Sequence, residues 1–176
     1  MNLAWHFLRL VDGVSVLRDG KTPAPPVGEW LEVAPPLSIC NHGLHASWRA
    51  IDALDFVDWD NAAACLVEVD GIGEEHAEKL VCSRRRIVSW VPCDDLLRLF
   101  AREAALSVAQ HWTMPAVVRE YLETGNEAIR AAAGAAAGAA ARAAAWAAAG
   151  AAAWADLNHL LESILLGAMP DTGGSR

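Results

Sequence analysis

Leu3, Trp5 and Phe7 alternate with Ala4, His6 and Leu8 at the head of the chain, the period of two that a half-buried strand imposes because successive side chains leave opposite faces. Asp12-Gly13 tolerates the left-handed backbone of a tight turn, so a hairpin into Val14 to Leu17 is expected. A second turn at Asp19-Gly20 leads into Thr22 to Gly28, where Pro23, Pro25 and Pro26 remove ladder donors and forbid regular pairing. A short strand at Glu29 to Val33 follows, closed by Pro35-Pro36. Ser47 is placed to cap a helix from Trp48 to about Phe56, with Trp48, Ile51 and Leu54 or Asp55 on neighbouring turns. Cys65, Val67 and Val69 then alternate with Leu66, Glu68 and Asp70, a strand with one wet face. Gly71 to Glu78 reads as a polar loop, with Gly71-Ile72-Gly73 as its turn, and Lys79 to Val91 as the returning strand of an antiparallel ribbon. Within that strand Leu80, Cys82, Arg84, Arg86, Val88 and Trp90 share one parity, so Arg84, Arg85 and Arg86 cannot all face the same way.

From Asp94 the period becomes helical. Asp94 caps a helix through about Trp112, with Leu97, Phe100, Ala104 and Val108 on one stripe. Thr113 and Pro115 open a second helix carrying Val117, Val118, Tyr121 and Leu122, and Thr124-Gly125-Asn126 stops it. The last helix begins near Glu127. Residues 131 to 155 are almost all alanine, interrupted by Gly134, Gly138, Arg142, Trp146, Gly150 and Trp154. Alanine has the best intrinsic helix propensity, so this tract commits to helix before tertiary contacts count. Unbroken to Leu166 it would run about 60 Å at 1.5 Å per residue, longer than a domain of this size is wide. It must therefore break, protrude or pair with a second chain. Small side chains gain most where another backbone comes close, and Ala147, Gly150, Trp154, Leu157, Leu161 and Ile164 follow a three-four alternation that suits such a contact.

The length of 176 residues suits one domain, or one compact domain with an appendage. A net charge of −8, with Arg84 to Arg86 as the one basic cluster, disfavours nucleic acid, which needs a basic face against phosphate. Cys40, Cys65, Cys82 and Cys93 lie far apart and read as reduced thiols of a cytoplasmic protein. Met1 to Val11 shows no basic region ahead of an apolar run, so no export signal is expected. A membrane span is not expected either: alanine is weakly apolar, Arg142 sits mid-tract and no basic flank sets an orientation.

Cys40-Asn41-His42-Gly43-Leu44-His45 is the densest run of reactive side chains. Cys40, His42 and His45 are donors that zinc accepts, with Cys65, Cys82 or His111 as a fourth, but no second paired knuckle exists, and the alternative is a His42-Gly43 turn with His45 bonding backbone at a helix start. No metal and no cofactor is therefore assigned. Cys40 with His42 or His45, or Ser47 with His45, would set a nucleophile beside a base. Glu74-Glu75 falls in the loop and Asp94-Asp95 at a helix start, where the dipole favours acids without any catalytic role. No catalytic residue is assigned.

Taken together, Ala4-Trp5-His6-Phe7-Leu8, Cys40-Asn41-His42-Gly43-Leu44-His45-Ala46-Ser47, the helix after it, Leu66-Val67-Glu68-Val69 and the Lys79 strand resemble an uncharacterised domain family of phages, prophages and bacteria. Similar sequences pair a Cys-x-x-Gly-[Leu/Phe]-His-Ala core with an alanine-rich, tryptophan-punctuated helical tail. Gly43-Leu44-His45-Ala46-Ser47 is also similar to the Gly-Leu-x-x-Ser turn of the ADP-ribosyltransferase superfamily, in which His6 would be a nicotinamide-side residue. No Glu-x-Glu or Gln-x-Glu element follows on a late strand.

These observations predict an α+β protein: a small, mainly antiparallel N-terminal sheet with one helix over residues 1–93, a helical half over 94–169 ending in an alanine-rich helix or helical hairpin, and a disordered tail over 170–176. The expected function is that of a non-enzymatic binding protein, a phage- or prophage-type accessory factor. It would meet a protein partner or itself, as a homo-oligomer, through Gly134, Gly138, Trp146, Gly150, Trp154, Leu157 and Leu161. The alternative is a nucleotide-handling protein, either sequestering a signalling nucleotide or a degenerate ADP-ribosyltransferase-like enzyme. Its ligand site would draw on His42, His45, Trp48, Arg84, Arg86 and Trp90, the arginines for phosphate and a tryptophan to stack on a base.

Overall fold

The computed structural model describes residues 1–57, 60–107, 109, 113–144 and 151–170. The fold is α+β, an antiparallel curled sheet with one short helix followed by a helical C-terminal half. It divides into two compact units, Met1–Asp94 with Glu162–Arg176, and Asp95–Leu161.

The first unit holds β1 (Asn2–Val11), β2 (Val14–Val16), β3 (Trp30–Glu32), β4 (Leu44–Ala46), α1 (Ala50–Leu54), β5 (Ala62–Glu75) and β6 (Leu80–Pro92). Strand order is β2-β1-β5-β6-β3, with β4 also on β6. Positive φ at Asp12 and Gly13 makes the tight β1–β2 hairpin expected from the sequence. Directly opposed residues share a face in an antiparallel pair, so the registers His6↔Cys65, Ala4↔Val67, Val67↔Ile87 and Val69↔Arg85 define one side of the sheet. Ala4, Leu8, Cys65, Val67, Val69 and Ile87 on that side, with Leu44, Ala46, Leu80 and Cys82, form the apolar core. Burying each of the larger aliphatic side chains there is worth about 1.5–3 kcal/mol. The sheet also returns on itself. The Trp5 N–H donates to the Ser47 carbonyl at 2.7 Å and the Ser47 N–H to the Trp5 carbonyl at 2.9 Å, so the chain after β4 reaches the edge of β1 that β5 leaves open.

Several expectations are corrected here. Leu44 to Ala46 is a strand on β6 and not the approach to a helix, because its backbone groups find the free edge of Leu80–Cys82. Ser47 consequently bridges Trp5, the N-cap position falls on Arg49, and α1 is shorter than the expected Trp48–Phe56 helix. The Gly71–Glu78 loop is largely strand: β5 runs to Glu75, and the hairpin closes only where the His76 N–H meets the Lys79 carbonyl at 2.8 Å. Gly71-Ile72-Gly73 lies at a bulge in β5, not at a turn; Gly71 has φ +63 and a side chain there would strike Ser83. The polar residues that suggest a loop belong to a strand whose end is exposed. Asp94 starts the next helix, but its carboxylate is spent on the N–H groups of Asn61 and Ala62 at 2.9 and 2.8 Å, at the head of β5.

The second unit contains α2 (Asp94–Ser107), which begins on the last residue of the first, α3 (Ala116–Thr124), a 3-10 turn (Glu127–Ile129) and α4 (Arg130–Ala144). α3 follows Pro115 and ends at Gly125, whose φ of +67 lets its N–H reach the Tyr121 carbonyl at 2.8 Å. α3 and α4 pack on each other, and Val118 and Ala133 are buried. α5 (Ala151–Ala168) begins in this unit and its last turns belong to the first, where the Glu162 carboxylate accepts the Ala50 N–H at the head of α1 at 3.3 Å. Whether the alanine-rich helix is one rod turns on residues 145–150, which lie outside the described residues, as does the end of the helix expected to reach Trp112. No described helix is long and apolar enough to cross a membrane.

Candidate anion-binding cavity

The curl of the first unit encloses a cavity of about 790 Å³. Its walls come from β1, the β2 turn through Gly20, β4, α1 and Phe56, with Lys79 and Arg85 from the β6 side. The lining is cationic: Arg9, Arg18, Lys79 and Arg85 face a single acid among the described residues, Asp19. Asp19 is itself engaged, accepting from the Lys21 N–H at 2.9 Å, the Thr22 N–H at 2.8 Å and the Thr22 hydroxyl at 2.5 Å.

Arg85 is the unusual residue. It is only 8% exposed, on the core face of β6 between Val69 and Leu31. Its Nη1 donates to the His45 carbonyl, and no carboxylate of the described residues pairs with it. Burial pulls its pKa down, opposed only by the Cys82 and Cys65 thiols. A guanidinium has five donors in a planar fork, so most of its hydrogen-bonding capacity is left to the cavity. Taking such a charge out of water costs several kcal/mol unless a counter-charge arrives.

Two imidazoles stand beside it. His6, on the inner face of β1, is held well below the ordinary histidine range by burial first and then by Arg85, His45 and Arg18. His45 is shifted the same way by burial, Arg85, Lys79 and Arg18. The His45 Nε2 accepts the Cys40 N–H at 3.0 Å, which leaves its proton on Nδ1. Both rings are therefore neutral near pH 7, each with one N–H to donate.

Of the ligand residues expected from the sequence, the structure brings His45 to the cavity and places the others elsewhere. Arg84 and Arg86 lie on the opposite face from Arg85, as their parity requires. Arg84 pairs with Glu32 at 2.9 Å and Asp70 at 3.0 Å, Arg86 with Glu68 at 2.7 Å, and both lie against the Trp30 ring at 4.5 and 4.8 Å from its centre. His42 is exposed, its Nε2 at 2.7 Å from the Ala34 carbonyl. Trp48 is 40% exposed and donates to Glu75 at 3.2 Å, while Trp90 packs against the apolar core. Among the tail residues, Gly134 has open space around it, Gly138 lies in α4, Trp154 is 51% exposed, Leu157 is half-buried and Leu161 fully buried; Trp146 and Gly150 fall outside the described residues. Among the described residues no group of three His, Cys, Asp or Glu side chains is placed to hold a metal.

The residue that sequence reasoning passed over is Arg85. The signal was present in the alternation, since the one arginine out of step with Arg84 and Arg86 is the one facing inward. What alternation does not convey is that the face it meets is closed over by the return of Ser47 to Trp5.

The architecture is thus a curled antiparallel sheet around a cationic cavity, a class defined by geometry and carrying no chemistry of its own. Residues 20–99 match the family model of a domain of unknown function (DUF7666). That span includes Cys40, His45, Lys79 and Arg85, while His6 precedes it. No curated protein and no solved structure matches the chain.

Proposed function

We propose that this is a non-enzymatic binding protein that holds a small anionic ligand of the nucleotide class in the cavity of its curled sheet. The observation that carries the reading is Arg85, a guanidinium 8% exposed with no carboxylate partner among the described residues. Its fork suits the paired oxygens of a phosphate or carboxylate, and the neutral His6 and His45 add donors without adding charge. A volume of about 790 Å³ lies within the range of pockets for small molecules and cofactors, roughly 300–1,000 Å³. Phe56, 38% exposed, offers a ring at the wall for a base. Binding is favoured over ADP-ribosyl transfer because Asp19, the one acid of the lining, already has its oxygens occupied by Lys21 and Thr22. Calorimetric titration with adenine and guanine nucleotides, NAD, cyclic nucleotides and inorganic phosphate tests it. Binding by at least one, weakened roughly 100-fold by Arg85→Ala and unchanged by Arg86→Ala on the outer face, is expected, since a buried charge-assisted pair is worth about 2–5 kcal/mol. Heat with none of them, or binding indifferent to Arg85→Ala, overturns it.

A second reading has its own observation. Trp154 is 51% exposed on α5, a large aromatic ring left to solvent next to the alanine-rich tract. Self-association of a phage-type accessory factor through the tail would cover it. Light scattering on the full chain and on Trp154→Ser tests this: a monomer in both cases removes the reading.

A further inference from the structure

Cys40 differs from the other thiols of this chain in its exposure and in the cation beside it. Cys65, Cys82 and Cys93 are fully buried, and burial pushes Cys65 and Cys93 up to about 12. Cys40 is exposed and lines the cavity. Its backbone is held at φ +66, a conformation uncommon for a residue other than glycine, and its N–H is fixed on the His45 Nε2. The Lys79 Nζ lies 2.9 Å from its Sγ. That ammonium has no carboxylate partner among the described residues; besides the sulfur it lies over the Phe56 ring, 4.9 Å from its centre, and acts on the His45 imidazole. An ammonium at this distance from the sulfur stands where an anionic co-reactant approaching Cys40 would meet it, and attracts such a co-reactant over a neutral one. A second and separate observation says what would meet it. The same cavity carries Arg85, more than nine-tenths buried with most of its donors unused, so the space next to Cys40 selects for negative charge.

We infer that Cys40 is a thiol–disulfide exchange site whose co-reactant is a small disulfide carrying carboxylates, of the oxidised glutathione type. The Cys40 thiol gives its proton to solvent and the thiolate attacks one sulfur of the disulfide. The Cys40 S–S bond forms as the disulfide's own S–S bond breaks, and the departing thiolate leaves with the electron pair and takes up a proton. One thiol is consumed and one released, so no further oxidant is needed. The adduct places an anionic peptide at the wall of the cavity and competes there with the proposed ligand. The inference shares the cationic lining with that ligand site but depends on Lys79 and Cys40, so it stands or falls separately from nucleotide binding.

The test is the rate of adduct formation on the full chain with oxidised glutathione, read by intact mass and peptide mapping. A single adduct on Cys40 is expected, absent in Cys40→Ser. Its rate should drop roughly tenfold in Lys79→Met, recover in Lys79→Arg, and fall as salt is raised, while the rate with uncharged hydroxyethyl disulfide stays flat with salt. Recovery with arginine, and the salt response of the unsubstituted chain, separate a charge effect from damage to the fold. Three results overturn the inference: a rate no faster than that of a short peptide carrying the Cys40 sequence, indifference to Lys79→Met, or a rate with oxidised glutathione that does not respond to salt.

Discussion

Replacing Arg85 with methionine should stabilise the unliganded protein while abolishing the proposed anion binding. The side chain is 8% exposed and its one protein partner is the His45 carbonyl. Losing that charge-assisted hydrogen bond costs about 1.5–3 kcal/mol. Against it stands the desolvation of a guanidinium that no carboxylate of the described residues offsets, several kcal/mol for a buried ion. Methionine is flexible enough to fill the space beside Val69, Leu31 and Ile87 without polar atoms to satisfy. The balance favours the variant by about 1–3 kcal/mol, and a chain of this size gains about 2–4 °C in melting temperature for each kcal/mol. Thermal melts of both proteins in a weakly binding buffer, then with added phosphate, supply the measurement. The unsubstituted protein should melt lower without phosphate and rise as phosphate is added, because a ligand that binds only the folded state shifts the equilibrium by mass action; the variant should not respond. A melting temperature that falls on substitution, with no phosphate response in either protein, would mean that Arg85 is a strut between β6 and β4 and that the cavity awaits no anion.

Acidification should weaken the fold through His6. Burial and Arg85 keep its imidazole neutral when folded, whereas the unfolded chain takes up a proton below about pH 6.5, so stability is complete above that value and declines beneath it. The slope approaches about 1.4 kcal/mol per pH unit for this one group, His45 adding in the same sense, and urea titrations at pH 7, 6 and 5 should show it shrink in His6→Phe. An unchanged slope in that variant would place the acid sensitivity elsewhere. Gly43→Ala should cost roughly 3 kcal/mol, since φ is +133 there and the added methyl would enter the Val81 side chain and come within 3.3 Å of Leu37 Cδ2. A urea midpoint within error of the parent would show that the start of β4 yields more readily than its packing implies.

The alternation around Trp5, Val67 and Val88 was sufficient to read strands, a hairpin and an antiparallel ribbon, because apolar periodicity reports directly on which face meets a core. It did not reveal β4. Leu44, His45 and Ala46 are too few for a period to register, and their conformation is decided by the free edge of Leu80–Cys82, which lies more than thirty residues away along the chain. The glycines at 71 and 73 misled for a related reason: in isolation they signal a turn, yet a bulged strand uses the same freedom to let Ser83 and Leu37 come close. The site was half legible. His45 stood out through its local motif, and Arg84 and Arg86 through clustering, but their neutralisation by Glu32, Asp70 and Glu68 is a matter of cross-strand register that composition does not carry. Alternation sets Arg85 apart from Arg84 and Arg86, but that it faces a cavity follows only from the curl of the sheet.

The paired amides and carbonyls between Trp5 and Ser47 have a bearing on how this protein comes into being. The walls they join are drawn from opposite ends of the first half of the chain, His6 near its start and Arg85 near its end. A ribosome must release most of that unit before the cavity can close, and a proteolytic fragment ending short of Arg85 lacks one of its walls. A ligand of the proposed kind would act as a clasp on the finished unit, and its occupancy inside a cell would then serve as a census of intact molecules.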